Sequence, residues 1–297
     1  MKTGSKPFFS VVVPCYNVGE SVIPTLECLK NQSFTDFEVI LVNDGSSDNT
    51  FKIITDFKMS QVMNIISQPN KGLGAARNTG IKKSKGEYIA LFDADDIWDV
   101  SKLEKVYDFI TANNVDVICH NEYVKNQDNE IITINSYGPY TTYQDLLFKN
   151  NCLSPSAVTF RREVIKKVGY FTEDLNLHGV EDYDMWLRMA KYGIKLNYMP
   201  DILGSYIIHG NNMSTNYIFF DKIEYLHIVH ADEINLNNIA TRFKYRYKLT
   251  KLYSAKTIQA FKNGMVLEVF RNIRDLLLLI FALDKYIQKK KNELGSL

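Results

Sequence analysis

Three aspartates occur within four consecutive positions of this chain, at Asp93, Asp95 and Asp96. They directly follow the apolar residues 88–92, a pattern typical of a buried β-strand. Carboxylates this close together repel one another, so their ionised forms need a cation or several hydrogen-bond donors nearby. Oxygen ligands of this kind suit Mg²⁺ or Mn²⁺, which substrate phosphates usually help to hold. The alternative for this local sequence is a strand end with solvated acids in a turn.

Four short apolar runs are separated by segments with helical spacing in the first hundred residues. The predicted strands are 9–13, 37–42, 62–67 and 88–92, and the predicted helices between them are 21–30, 48–57 and 74–83. Pro14 is expected to end the first strand, and Ser21 is expected to be the N-cap of the first helix. Apolar strands that alternate with helices indicate a parallel sheet covered on both faces, and therefore an α/β fold.

Polar clusters follow three of these predicted strands, at 14–17, 43–47 and 93–96. The carboxyl ends of parallel strands meet at one edge of a sheet, and ligands of α/β proteins bind there. The sequence therefore predicts a ligand site at this edge.

The second half of the chain is less regular. Further strands are predicted at 116–120, 131–134, 194–198 and 202–208, and helices at 163–168 and 182–192. Gly169 and Gly193 are expected to end the two helices. Beyond about residue 214, Gly and Pro nearly disappear and the pattern is helical. We therefore predict one domain over 1–214 and a helical C-terminal region over 215–297.

Several other polar residues permit two interpretations each. Asp44, just past a strand, could accept a hydrogen bond from the N3–H of uracil or form an Asx-turn. Asp48 is expected to cap the next helix. The loop 70–78 contains Gly74 and could bind an anion, although it lacks the Gly-Lys-Ser/Thr pattern of a phosphate-binding loop. Arg77 in this loop could contact a phosphate or base, or pair with a surface acid.

Two more candidates lie near the end of the predicted first domain. Glu181 and Asp182 begin a helix, where carboxylates stabilise the helix dipole. A carboxylate at the mouth of the sheet could instead take a proton from an attacking hydroxyl group. His209 ends a strand-like run and could ligate a metal or contact a diphosphate, although a lone histidine is more often a polar surface residue.

The composition favours a soluble globular protein. Of the 297 residues, 45% are hydrophobic and 23% are charged. The four cysteines lack metal-binding spacing and are expected to be reduced thiols. Residues 1–10 do not resemble a signal peptide, and the longest apolar run, 276–283, is too short to span a bilayer. We therefore expect a cytoplasmic protein that is not integral to a membrane.

The charge is distributed unevenly along the chain. Residues 216–297 contain 14 Lys/Arg and 8 Asp/Glu, whereas residues 1–215 contain 21 and 26. Basic and aromatic side chains alternate over 242–248. An apolar helical stripe follows, with lysines after it: Phe270, Ile273, Leu277, Ile280 and Phe281, then Lys285, Lys289, Lys290 and Lys291. These helices could pack on the first domain, bind nucleic acid, or contact a membrane surface peripherally.

Five of these segments, taken in order, resemble the family 2 glycosyltransferases. They are Val-Val-Val-Pro-Cys-Tyr-Asn at 11–17, Val-Asn-Asp-Gly-Ser-Ser-Asp at 42–48, Gly-Leu-Gly-Ala-Ala-Arg-Asn at 72–78, the DXD-containing Phe-Asp-Ala-Asp-Asp at 92–96, and Val-Glu-Asp-Tyr-Asp-Met-Trp-Leu-Arg at 180–188. The resemblance covers about residues 8–214. It implies the GT-A fold, a Rossmann-like, mostly parallel mixed sheet flanked by helices. It also implies inverting transfer of a sugar from a nucleotide-diphospho sugar.

The resemblance implies a role for each matching residue. Asp182 would be the catalytic base, with Glu181 beside it near the acceptor, and Asp95 would ligate Mn²⁺ or Mg²⁺, with His209 as a second metal or phosphate contact. The nucleotide would be bound by Pro14 and Asn17, by Asp44 at uracil, by Arg77 near the base or phosphate, and by Asp93 at the ribose, while Asp96 and Gly74 would support the site.

The implied function is a hexosyltransferase that adds one sugar per encounter. The transmembrane helices and the Gln-Xaa-Xaa-Arg-Trp motif of the processive members are absent from this sequence. The expected donor is a UDP-sugar rather than a GDP- or dTDP-sugar. The expected acceptor is a glycan, linked to a polyprenyl diphosphate, in O-antigen or capsule biosynthesis at the cytoplasmic face of the inner membrane.

Two other functions are the alternatives. A sugar-phosphate nucleotidyltransferase would be expected to carry a basic Gly-rich loop near Pro14, which is absent from the sequence. A non-catalytic nucleotide-sugar-binding module is disfavoured by the intact pair Glu181 and Asp182. A nucleic-acid partner is not expected.

Overall fold

The computed structural model describes residues 6–139, 142–149, 153–209 and 217–295. In this part of the chain nine strands form one mixed sheet. They are β1 (Phe9–Cys15), β2 (Phe37–Asp44), β3 (Val62–Gln68), β4 (Tyr88–Leu91), β5 (Ile97–Trp98), β6 (Val117–Lys125), β7 (Ile131–Asn135), β8 (Val158–Arg161) and β9 (Leu196–Ile207). Their order is β3-β2-β1-β4-β8-β6-β9-β5, and β7 pairs with β6.

The described helices flank this sheet or follow it in the chain. They are α1 (Val22–Lys30), α2 (Thr50–Asp56), α3 (Leu73–Lys83), α4 (Lys102–Asn113), α5 (Tyr143–Lys149), α6 (Val164–Val168), α7 (Glu181–Lys191), α8 (Ile218–Val229), α9 (Ile239–Lys262), α10 (Val266–Phe281) and α11 (Leu283–Gly295). The predicted α/β architecture is confirmed, with a helical segment at the C-terminal end.

Strands β1 to β4 are parallel, and β1 and β2 are buried along their whole length. One face of the sheet packs on α1, α2 and α4 through a core that includes Leu26, Ile54 and Val106. Helix α3 lies against β1 and β2. It approaches so closely that a Cβ on Gly80 would lie 2.4 Å from the side chain of Val12. Covering both faces explains why these strands are continuously apolar in the sequence.

The prediction that Pro14 ends the first strand is wrong, because β1 continues to Cys15. Pairing between β1 and β4 reaches only Val12, whereas pairing between β1 and β2 extends to Cys15. Pro14 therefore lies where the strand has a neighbour on one side only. A proline, which lacks an N–H donor, is tolerated at such a position.

Residues 194–198 and 202–208 do not form the two predicted strands, since most of both ranges lies in the single strand β9 (Leu196–Ile207). The register between β6 and β9 shifts around Asn121, where β9 accommodates Pro200. A bulge of this kind keeps a strand continuous across residues that cannot pair. The sequence pattern was interrupted at the same residues, and it also gave no signal for α4, β5 or β8.

The chain divides into two compact units. The first comprises Met1–Leu146 and Asn151–Gly210, and the second comprises Leu147–Asn150 and Asn211–Leu297. The predicted boundary after Ser214 lies outside the described residues, as does Cys152. The other three cysteines are free thiols. Among the described helices, none combines the length and the apolar character needed to cross a membrane.

Candidate active site

The loops that follow β1 and β2 are joined at the carboxyl edge of the sheet. The backbone N–H of Asn17 donates to the hydroxyl of Ser46 at 3.1 Å, and the N–H of Ser47 donates to Oδ1 of Asn17 at 2.8 Å. Asn17 has a φ of +49°, a left-handed conformation that asparagine adopts more readily than most residues. Pro14 is buried, whereas the neighbouring Tyr16 is 51% exposed. This edge therefore presents an accessible aromatic ring, which no motif pattern in the sequence had indicated.

Asp44, at the end of β2, is buried and fixes the loop that leads into α3. Its Oδ1 accepts hydrogen bonds from Nε2 of Gln68 at 2.7 Å and from the N–H of Lys71 at 3.0 Å. Its Oδ2 accepts from the N–H of Gly72 at 2.9 Å. A carboxylate that accepts several backbone and amide donors has a defined orientation. The contact to uracil stays a prediction, and the observed contacts assign Asp44 a role in shaping the loop.

The loop 93–96 after β4 is held by two hydroxyl groups from distant parts of the chain. The hydroxyl of Thr25, on α1, donates to the carbonyls of Ala94 at 2.9 Å and Asp96 at 3.0 Å. The hydroxyl of Ser156 accepts from the N–H of Asp93 at 3.0 Å and donates to Oδ2 of Asp96 at 2.5 Å. Neither hydroxyl was identified from the sequence, because a single serine or threonine remote from a motif carries no local signal.

Asp96 is the most deeply buried of the three acids in this loop. Besides Ser156, the N–H of Ile207 on β9 donates to its carboxyl group at 3.3 Å. Burial, together with the negative charges of Asp95 and Glu122, raises the pKa of Asp96 well above its usual range. Its geometry is suited to support of the loop and unsuited to direct contact with a ligand.

A polar layer lies beneath this loop. The buried ammonium group of Lys102 donates to the carbonyl of Ser156 at 2.8 Å and lies 3.1 Å from the ring centroid of Trp98. Burial lowers the pKa of Lys102 well below its usual range. Nearby, the buried carboxyl of Glu122 accepts from the hydroxyl of Tyr137 at 2.8 Å, and burial raises the pKa of Glu122 to about 7. Polar groups in a low-dielectric interior hold their neighbours firmly when they are paired.

Asp95 and His209 lie side by side, with 2.7 Å between Oδ2 of the aspartate and Nε2 of the histidine. Both side chains are partly exposed. Burial and the charge of Asp93 raise the pKa of Asp95, and the contact with His209 opposes this rise. A carboxylate oxygen suits Mg²⁺ or Mn²⁺, and an imidazole nitrogen favours a transition-metal ion over Mg²⁺.

No group of three or more His, Cys, Asp or Glu side chains could hold a metal ion by itself within the described ranges. A pair of protein ligands is sufficient for an ion that substrate phosphates also coordinate. The residues present therefore fit a divalent ion that binds together with a diphosphate.

Arg77, on α3, is only 1% exposed and bridges two carboxylates. Its Nη2 donates to Oδ1 of Asp93 at 2.8 Å, and its Nη1 donates to Oε1 of Glu181 at 2.6 Å. The guanidinium carbon lies 5.6 Å from the ring centroid of Phe171. The surface pair considered for Arg77 is therefore wrong. Contact with a base or phosphate stays a prediction, and the observed contacts make Arg77 a link between the loop 93–96 and α7.

Helix α3 is also locked onto the segment that precedes α7. A Cβ on Gly74 would lie 2.3 Å from the carbonyl oxygen of Thr172, so only glycine permits this approach. The side-chain amide of Asn78 donates to the carbonyl of Phe171 and accepts from its N–H, both at 2.9 Å. These contacts fix the distance that Arg77 spans.

Glu181 and Asp182 occupy the first turn of α7 but differ in their surroundings. Glu181 is buried, and its second carboxyl oxygen accepts from the N–H of Gly179 at 2.6 Å. Asp182 is only partly buried, and one of its oxygens accepts from the N–H of Tyr183 at 2.7 Å. Burial and the charge of Glu181 raise the pKa of Asp182 to about 7, against the opposing charge of Arg77. A carboxylate with this pKa is a better proton acceptor near neutral pH than an ordinary aspartate.

The structure thus brings part of the predicted set into one connected group. Its members are Arg77, Asp93, Asp95, Glu181, Asp182 and His209. Asn17, in the loop after β1, and Asp44, the last residue of β2, lie at the same edge of the sheet. The group contains a carboxylate and an imidazole in contact, a buried bridging cation and a carboxylate with a raised pKa.

The chain is similar in sequence to known proteins over most of its length. The sequence model of Glycosyl transferase family 2 matches residues 10–169. The UDP-Glc:alpha-D-GlcNAc-diphosphoundecaprenol beta-1,3-glucosyltransferase WfaP of Escherichia coli is 30% identical over 207 residues, which cover 70% of this chain and 80% of WfaP.

Solved structures resemble the fold. The structure of S. aureus TarS 1-349 in complex with UDP-GlcNAc matches with a TM-score of 0.69 and 22% identity, over 93% of this chain and 81% of that chain. The mannosyltransferase PcManGT from Pyrobaculum calidifontis, in complex with GDP-Man and Mn2+, matches with a TM-score of 0.61 and 15% identity, over 97% of this chain and 84% of that chain. Both likenesses support the GT-A fold.

Proposed function

The chain belongs to Glycosyl transferase family 2, and from this premise we propose that it transfers a single hexose from a UDP-sugar to a hydroxyl group, with inversion at the anomeric carbon. The observation that carries the proposal is the bridge formed by Arg77. It ties Asp93, beside the pair Asp95 and His209, to Glu181, beside a carboxylate of raised pKa. Departure of a nucleoside diphosphate and activation of a hydroxyl group are two tasks of one displacement reaction.

Asp182 is the proposed catalytic base. Its carboxylate takes the proton from the acceptor hydroxyl while the new C–O bond forms and the bond to the leaving diphosphate breaks. A single displacement of this kind inverts the anomeric centre. The pKa of about 7 leaves Asp182 half-ionised near neutral pH, where general bases are most effective. Glu181 is too deeply engaged with Arg77 and Gly179 to take this role, and it serves to position the neighbouring residue.

Asp95 and His209 are the proposed ligands of Mn²⁺ or Mg²⁺. When bound, such an ion offsets the charge that develops on the departing nucleoside diphosphate. Asp93 is proposed to face the ribose through the carboxylate oxygen that is not bonded to Arg77. The hydroxyl of Ser156 keeps the loop 93–96 in place, so that Asp95 is oriented before the donor arrives.

The nucleoside is proposed to bind at the ends of β1 and β2. The exposed ring of Tyr16 provides a face on which a base can stack. Asn17 and Asp44 lie on the adjoining loops, and Pro14 forms part of the buried floor. A second lone pair on an Asp44 oxygen remains a suitable acceptor for the N3–H of uracil.

The proposed acceptor is a glycan on a polyprenyl diphosphate, in the biosynthesis of a bacterial surface polysaccharide. WfaP, with which this chain shares 30% identity, is named for an acceptor of this kind. The corresponding place of action is the cytoplasm, at the inner face of the membrane that holds the lipid carrier.

A donor screen tests the function. Purified protein is incubated with UDP-, GDP- and dTDP-sugars and a lipid-linked acceptor, and nucleoside diphosphate release is measured with and without a chelator. We expect release with a UDP-sugar that stops when the chelator is added. Release that is unchanged in Asp182→Asn, with Asp56→Asn as the matched control, would remove Asp182 from the mechanism. Asp56 is suitable because it is an exposed aspartate that pairs with Lys52 on α2.

A further inference from the structure

Helix α10 has an unusual distribution of polar and apolar residues. Its buried positions include Asn272 and Asp275, whereas its exposed positions are mainly large and apolar. The exposed apolar side chains are Val266, Leu267, Phe270, Ile273, Leu277, Ile280 and Phe281. Phe270 is 67% exposed and Phe281 is 81% exposed. The spacing of three and four residues places these side chains along one face of the helix.

The buried polar residues of α10 have partners in the second unit, which supports the orientation that turns the apolar stripe outward. The carboxylate of Asp275 accepts from Lys289 at 2.6 Å and from Lys290 at 3.0 Å. The amide of Asn272 donates to the hydroxyl of Tyr217 at 3.0 Å. These contacts fix the orientation of α10 within the second unit, and they leave its apolar face in contact with solvent.

Of the four lysines near the C-terminus that the sequence suggested for a lipid surface, Lys285 is exposed, whereas the other three are held in ion pairs. Lys289 and Lys290 pair with Asp275, Lys290 also pairs with the buried Glu224, and Lys291 pairs with Asp232. Their charges are balanced inside the helical unit. Apart from Lys285, cations that accompany the apolar stripe must therefore come from elsewhere.

Helix α9, which packs against α10, supplies these cations. Over its 24 residues it contains seven Lys/Arg and no Asp or Glu. Its large exposed side chains are either apolar or basic. They are Ile239, Phe243, Tyr247, Ile258 and Phe261, with Lys244, Lys251 and Lys262. Arg271 and Arg274 on α10 are also exposed, but they pair with Glu268 and Asp275. Glu268 and Asp275 are the two carboxylates in residues 239–281, a range that is described throughout.

We propose that the outward side chains of α9 and α10 form a docking surface for an anionic lipid bilayer. Apolar side chains of this size insert at the boundary between headgroups and acyl chains, and lysines and arginines beside them pair with lipid phosphates. A second copy of the chain fits this surface less well. An isologous contact would place the exposed lysines of the two copies close to one another, and like charges oppose such a contact.

The docking surface deepens the proposed function, and it rests on that function only for the identity of the acceptor. A glycan carried on a polyprenyl diphosphate is confined to the bilayer. An enzyme bound to the same bilayer meets this acceptor at a high effective concentration. Binding of vesicles requires neither donor nor acceptor, so it can be tested separately from transfer.

Flotation of the purified full chain with vesicles tests the proposal. The two compositions are phosphatidylcholine alone, and phosphatidylcholine with one third phosphatidylglycerol. We expect recovery with the anionic vesicles at low salt, and a decrease as salt is raised. Phe270→Ser combined with Phe281→Ser should weaken partitioning at least tenfold. Replacement of Lys244, Lys251 and Lys262 by Gln should weaken it about fivefold for each charge.

The matched control is Ile131→Ser combined with Ile132→Ser. These two residues lie on β7 in the first unit and are exposed to a similar degree. We expect the control to bind like the unchanged protein. Circular dichroism and melting of each variant establish that the fold is retained, which exposed substitutions rarely disturb.

Three results would overturn the proposal. The first is absence of binding to anionic vesicles, and the second is equal binding by the phenylalanine variant. The third is that light scattering shows a dimer for the unchanged protein and a monomer for the phenylalanine variant, while neither protein binds vesicles. Nucleoside diphosphate release with a water-soluble acceptor is measured in parallel. If the unchanged protein released no nucleoside diphosphate, this would count against the transferase function but not against the docking surface.

Discussion

Arg77 is the residue whose replacement the structure makes most informative. Its guanidinium is buried and bonded to Glu181, itself buried, and to the partly exposed Asp93. In Arg77→Met the side chain keeps most of its length but loses its charge. Glu181 is then left in the interior with only the N–H of Gly179 to stabilise its carboxylate.

The expected loss of stability follows from this geometry. Removing one partner of a buried ion pair typically costs about 3–5 kcal/mol, because the other charge stays buried without compensation. In a domain of this size, that corresponds to a decrease in Tm of roughly 6–20 °C. Glu181→Gln removes the remaining charge, so the double variant Arg77→Met with Glu181→Gln should recover a part of the loss.

Urea denaturation of the four proteins, the unchanged chain, each single variant and the double variant, measures the coupling between the two residues. Arg161→Met is the matched control. Arg161 also bonds two carboxylates, those of Glu87 and Asp116, but both are more than half exposed. An exposed pair contributes about 1 kcal/mol or less. If Arg77→Met were as mild as Arg161→Met, Arg77 would not be the link that holds the site together.

Arg77 should also affect catalysis through Asp182. Its positive charge lowers the pKa of Asp182, against burial and the charge of Glu181. In Arg77→Met this pKa should rise further, and the acidic limb of the pH profile of kcat/KM should move to higher pH. Arg77→Lys keeps the charge and should move the limb less. A limb that stays in place in both variants would show that Arg77 does not act on the base.

Four further predictions concern the same site. In the unchanged protein, kcat/KM should fall about tenfold per pH unit below pH 7, because Asp182 has a pKa of about 7 and must be ionised to act. A raised pKa also means that ionisation of Asp182 opposes folding as the pH rises from about 4 to 7, so Asp182→Asn should raise Tm at pH 8 more than at pH 5. Asp95→Ala should abolish metal-dependent donor binding in calorimetry while metal-independent UDP binding is weakened less. Ser156→Ala should cost about 1–3 kcal/mol in urea denaturation, since the buried carboxyl of Asp96 and the N–H of Asp93 lose their shared partner.

Each of these predictions would be contradicted by a specific result. A flat pH profile between 5 and 8, or a Tm difference in Asp182→Asn that does not depend on pH, would contradict the assignment of the raised pKa to Asp182. Unchanged donor affinity in Asp95→Ala would move the metal site elsewhere. For Ser156, the control is Ser84→Ala, which removes another buried hydroxyl that donates to the carbonyl of Ile81. Equal effects in the two serine variants would remove the special role of Ser156.

The parallel strands, and the meeting of the polar residues after them at one edge of the sheet, were predictable because each depends on a local pattern. Runs of apolar residues identify the parallel strands, and the polar residues after them necessarily meet at the carboxyl edge. The antiparallel strand β8 lacked such a pattern, since it is short and follows a 3-10 turn rather than a helix. The prediction at Pro14 was wrong because a strand can contain a proline where a neighbouring strand no longer pairs with it. Where β4 stops pairing with β1 is a tertiary property.

The contacts of the predicted residues were less predictable than their positions. Arg77 was assigned to a ligand or to a surface acid, and the structure buries it between Asp93 and Glu181. These partners are 16 and 104 positions away in the chain, so no spacing rule could connect them. The same holds for Ser156, which is 60 positions from Asp96. Local sequence therefore identified polar residues that meet at this edge of the sheet, but their partners follow from the fold.

The buried bridge has a consequence for how the two sides of the site are coupled. Asp93 and Glu181 share one guanidinium, so a change in the charge near either carboxylate alters the other through Arg77. A donor diphosphate with its metal, bound beside Asp93, would change the electrostatic environment of Arg77 and therefore of Asp182. The pKa of Asp182 should consequently differ between the free chain and the chain saturated with UDP and Mn²⁺. Comparing the pH dependence of Tm in the unchanged protein and in Asp182→Asn measures this pKa in each state. Identical pH dependence in both states would mean that the bridge is only structural and that the base is set independently of the donor.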